Sequence, residues 1–167
     1  MRISGPKGPG TTKCFLFGWV VGWAVAIYLS CVLVWLSGLA QVVSGARGAS
    51  AIFAIADAIS PWAKLAIGIA MGGALLVQRK LRPLAGRNAL AADSIACALA
   101  MLLALGLLPQ ALSAGFGIGL TGARFAPLAT ALYIAAAAMG GILANLLEAS
   151  CLRNRRKLNE IYRDRSQ

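Results

Sequence analysis

The chain alternates between long stretches without charge and short clusters of basic residues. From Phe15 to Gln41 there are 27 consecutive positions without a charged side chain. A helix needs about 20 apolar residues to cross hydrocarbon. A secretory leader's apolar core is shorter, about 7 to 15 residues, so this segment reads as a retained signal anchor. The region before it, with Gly5, Pro6, Gly8, Pro9 and Gly10, reads as a non-helical basic lead over 1–13.

After a small polar link from Ser44 to Ser50, the stretch Ala51 to Ile59 is apolar except for Asp57 and too short to span. Ser60 is placed to cap a helix and Pro61 to occupy its first position, where a missing amide hydrogen costs nothing. A second span is expected from Pro61 to Gln78, followed by a basic turn containing Arg79, Lys80, Arg82 and Arg87. Asn88 can cap a third span that runs to Leu108, where Pro109 stops it. A fourth is expected from Ala126 to about Leu147, and the tail from 151 to 167 is polar and basic. The expected fold is a four-helix transmembrane bundle.

Charge supplies the orientation. Thirteen of the sixteen Lys and Arg fall in the lead, the middle turn and the tail, and three fall in the other two connections. The positive-inside rule assigns the richer side, with both termini, to the cytoplasm of a bacterial inner membrane. The net charge of +11 is then topogenic. No nucleic-acid motif accompanies it, so nucleic acid is not an expected partner.

Apolar residues make up 59% of the chain and charged ones 13%, too few to cover the surface of a water-soluble domain. His is absent, which removes Ser-His-Asp triads, haem ligation by His and His-based zinc sites. Cys14, Cys31, Cys97 and Cys151 lie on or beside apolar runs without a CxxC pair, and read as small packing residues. The string Gly117-Ile-Gly-Leu-Thr-Gly122 matches GxGxxG but lacks the strand before it and the acid about 20 residues on, so it reads as a loop.

The span count is similar to that of quinone-linked disulfide oxidases, but neither expected outer loop contains a cysteine. It is also similar to that of lipoprotein signal peptidases. Here Asp57 and Asp93 are expected on opposite sides, where they cannot share a catalytic water. Neither kinship follows, and no enzymatic activity, cofactor or metal is expected.

Asp57 and Lys64 are the candidates for ion or proton handling, because ionisable groups at membrane depth are costly. No charge is expected inside a span. Arg153, Arg155, Arg156 and Lys157 suit anionic headgroups, with Leu158, Ile161 and Tyr162 on one helical face beside them. Gly18 with Gly22, Gly68 with Gly72, and Ala136 with Gly140 have the small-xxx-small spacing of close helix contacts, within the chain or between two copies. The expected role is a non-enzymatic accessory or scaffold component that touches the bilayer and other membrane proteins or itself. A small-solute or ion transporter and a holin-like pore former are the alternatives.

Overall fold

A computed structural model of the chain describes residues 9–37, 49–85, 89–107 and 127–165. These form five helices: α1 Pro9–Leu36, α2 Ala49–Ala58, α3 Pro61–Ala85, α4 Ala89–Leu107 and α5 Pro127–Arg165. Four of them, α1, α3, α4 and α5, are long and apolar enough to cross a membrane. α2, with 10 residues, is not.

The four long helices form a ring in which α1 packs on α5, α5 on α4, α4 on α3 and α3 on α1, with α2 lying against α1. Neighbours run antiparallel: Cys14 of α1 meets Cys151 of α5, and Gly22 meets Gly140. The start of α1 and the late part of α5 therefore share one end of the bundle. The lining of the ring is made of small or slender side chains such as Ala26, Val34, Met71, Cys97, Ala100, Ala136 and Ala137, all buried. The outer face carries exposed Phe17, Val20, Ile69, Val77, Ile95, Leu103 and Leu107. Water would oppose such a belt and hydrocarbon accommodates it. The chain is a multi-pass membrane protein.

Several boundaries differ from expectation. α1 begins at Pro9, so residues 9–13 are helical despite the Pro and Gly around them. Pro is well suited to a first helical position, and only the residues behind it must be free to follow. α1 ends at Leu36, short of Gln41, and positions 38–41 lie outside the described residues. α3 continues through Arg79, Lys80 and Arg82 to Ala85, where a basic turn was expected. Pro83 has no backbone N–H to offer the Arg79 carbonyl, and the helix ends two residues beyond it.

Residues 51–58 are helical as part of α2, and the chain bends at Ile59 before α3. Ser60 accepts the first backbone hydrogen bond of α3 from Lys64 at 3.1 Å, the role of a residue capping a helix N-terminus. The helix that carries the fourth span does not stop near Leu147. It continues as one helix through the basic tail, 39 residues in all and about 58 Å long. The 115–122 loop, with its GxGxxG string, lies outside the described residues.

Candidate functional site

Two features of the bundle end near Cys14 were not legible as a site. The first is a set of buried polar pairs. Arg79 of α3 reaches Glu148 of α5 in an ion pair and hydrogen bond, with the Glu148 side chain 9% exposed and that of Arg79 25%. The Arg79 guanidinium also lies over the Phe15 ring, 4.2 Å from its centroid, which ties α1 into the same contact. One turn deeper, Asn145 of α5 donates to the carboxylate of Asp93 on α4, and Asp93 is 1% exposed. Ionisable side chains therefore sit buried between the helices at this end of the bundle. The cost of burial is offset because each carboxylate is paired or hydrogen-bonded.

The second feature is a disulfide between Cys14 and Cys151, with Cα atoms 5.6 Å apart. Reading all four cysteines as packing residues is corrected for this pair. Cys31 and Cys97 are free and buried. The pairing joins positions 137 apart in the chain, and no local spacing announces it. On α5 the steps 141, 145, 148 follow the three-and-four rhythm of a single helix face, a signal available in the sequence that points to one inward stripe.

At the opposite end, Asp57 is exposed on α2 and Lys64 is half-buried in the first turn of α3. They form no ion pair with each other among the described residues. Lys64 borders an apolar cavity of about 190 Å³ with Trp23, Ile27, Tyr28 and Ala56. Arg153, Arg155, Arg156 and Lys157 are all exposed on the α5 extension, as are Leu158, Ile161 and Tyr162.

The small residues divide between two interfaces. Gly18 and Gly22 face α5: a Cβ added at either would stand 2.6 Å from the carbonyl oxygen of Ala144 or Gly140. Ala136 is fully buried. Gly68 and Gly72 lie under two indole rings of α1, with added Cβ atoms 2.9 Å from Trp23 and 2.8 Å from Trp19. The same indoles donate to carbonyls of α3, Trp19 Nε1 to Gly68 and Trp23 Nε1 to Lys64, both at 2.9 Å. No group of three His, Cys, Asp or Glu able to hold a metal occurs among the described residues.

Comparison with protein-family models, curated proteins and solved structures finds no match.

Proposed function

We propose that the protein is a small accessory or scaffold component of a bacterial inner membrane, non-enzymatic, with both termini in the cytoplasm. The supporting observation is the unbroken α5, which carries Arg153, Arg155, Arg156 and Lys157 exposed beyond its apolar part, and exposed Leu158, Ile161 and Tyr162 beyond those. A cationic, partly apolar helix emerging from a membrane suits anionic headgroups near its root and a protein partner or the bilayer interface further out. The excess of Lys and Arg at this end supports the orientation.

The test is a photocrosslinking residue at Leu158 in living cells, combined with reporter fusions after Ala85 and at the C-terminus. The proposal expects both reporters inside and a discrete protein adduct that is lost when the four basic residues are neutralised. Crosslinking to lipid alone would reduce the tail to an anchor.

A second reading, transport of an ion or small solute, draws on one observation: Asp93 is a carboxyl group buried within the bundle beside Asn145. Flux in proteoliposomes containing only this chain, abolished by Asp93→Asn, would favour it over the accessory reading.

A further inference from the structure

The seam between α1 and α3 is built differently from the tight crossing of α1 on α5. Trp19 and Trp23, stacked with centroids 6.5 Å apart, fill its middle. Toward the basic end the two helices leave an apolar groove of about 310 Å³ lined by Phe15, Leu16, Trp19, Ile69, Gly73 and Leu76. From Ile69 to Leu76 it follows α3 for about 10 Å. Ile69 is 70% exposed and Leu76 51%, so the groove opens outward to the bilayer and not into the ring. Gly73 is exposed, and a Cβ added there would meet nothing within 4 Å, so a side chain at this position has open space along the groove.

The charge at its mouth selects an occupant. Lys80 lies one helical turn beyond Leu76 on the same stripe of α3, and Thr12 and Lys13 lie one turn before Leu16 on α1. All three are exposed. The one carboxylate described near this mouth, that of Glu148, is engaged by Arg79 above Phe15. An apolar slot open to lipid beneath two ammonium groups matches an acyl chain beneath a phosphate. A zwitterionic headgroup would bring its own cation against the lysines, whereas an anionic one would not.

We propose that this groove binds one acyl chain of an anionic phospholipid, with the lipid phosphate held between Lys13 and Lys80. The site rests on the reading that the basic end lies at a headgroup layer. It is separate from the exposed tail residues 153–157.

The test uses the full chain in phosphatidylcholine vesicles doped with phosphatidylglycerol brominated on its acyl chains, or with brominated phosphatidylcholine as the control. Quenching that depends on Trp19 is taken as the difference between wild type and Trp19→Phe. Wild type should prefer the brominated phosphatidylglycerol by about five-fold or more, the scale of one interfacial cation. Gly73→Leu, which has room for its side chain, should fold normally and lose the preferential quenching. Lys80→Gln should weaken that preference, and Lys13→Gln together with Lys80→Gln should bring the two lipids close to parity.

Equal quenching by both lipids in wild type, or an unchanged preference in Gly73→Leu, would overturn the site. So would a dimer crosslink across α3 that Gly73→Leu abolishes while lipid preference stays constant, because a second copy would then fill the seam. Neutralising Arg153, Arg155, Arg156 and Lys157 should leave the Trp19 signal intact. That outcome separates failure of the groove from failure of the tail.

Discussion

Gly22 and Gly140 meet backbone to backbone. A Cβ on Gly22 would stand 2.6 Å from the Gly140 carbonyl oxygen, and one on Gly140 would stand 2.5 Å from that of Gly22. Neither obstacle is a flexible side chain, so α1 and α5 would have to separate to admit even a methyl group. In lipid, where burial of apolar surface no longer drives association, such proximity supplies the dispersion contacts that hold helices together.

Gly22→Ala and Gly140→Ala should each destabilise the bundle by about 1 to 3 kcal/mol, the usual cost of overpacking. Gly73→Ala, at a position facing open space, should be neutral or slightly stabilising through its better helix propensity. Thermal unfolding in detergent, followed by helicity, checks the contrast. Equal effects at Gly22 and Gly73 would refute the close crossing.

The Arg79 and Glu148 contact links α3 to α5 across the ring. Glu148→Ala should cost about 2 kcal/mol, below the range for a fully buried pair because the Arg79 side chain keeps 25% of its exposure. The charge exchange Arg79→Glu with Glu148→Arg should recover part of that loss, as measured by the same melts. No recovery would mean that the cation's position over Phe15 matters more than the ion pair.

The disulfide reports on topology. If the basic end faces the cytoplasm, Cys14 and Cys151 are held as thiols in the cell, because that compartment is reducing. Acid-quenched, denatured cells should then show both modified by maleimide without prior reduction, and oxidation of the purified protein should close the bond. A membrane-impermeant maleimide applied to intact cells should label none of the four cysteines. A disulfide already present in quenched cells would place this end in an oxidising compartment and reverse the proposed orientation.

Asp57 and Lys64 should tolerate neutralisation. Asp57 is exposed, and the two form no ion pair among the described residues, so Asp57→Asn and Lys64→Gln should each change stability by no more than about 0.5 kcal/mol. The charge-exchanged double variant should offer no rescue beyond the singles. Loss of a cellular phenotype at normal protein level in either single variant would favour transport over the accessory role.

The apolar segments were legible because a run such as Phe15 to Gln41 has few alternatives to a membrane helix. The cap at Ser60 and Pro61 was legible because both act locally. Asp93, Asn145 and Glu148 were not. Taken singly, each resembles a residue near a boundary, and only the register of α4 and α3 against α5 gives each its partner. The Cys14 and Cys151 pairing was hidden for the same reason, since it depends on where the first helix and the last end up together. Leu158, Ile161 and Tyr162 already read as one helical face, but the continuity of the tail with the fourth span's helix is not legible, because an abrupt change from apolar to polar looks like the end of a helix. It is only an end of hydrocarbon: Arg, Lys, Leu and Glu all favour helix.

Because α5 has no break between its apolar part and Tyr162, the tail behaves as the arm of a lever. Its fulcrum is the crossing at Gly140. From Gly140 to Tyr162 the helix extends about 33 Å, so a tilt of ~10° within the bilayer would displace its far end by ~6 Å. A partner gripping Leu158 and Tyr162 would exert torque on the bundle. Conversely, a change in membrane thickness would be felt by that partner as movement.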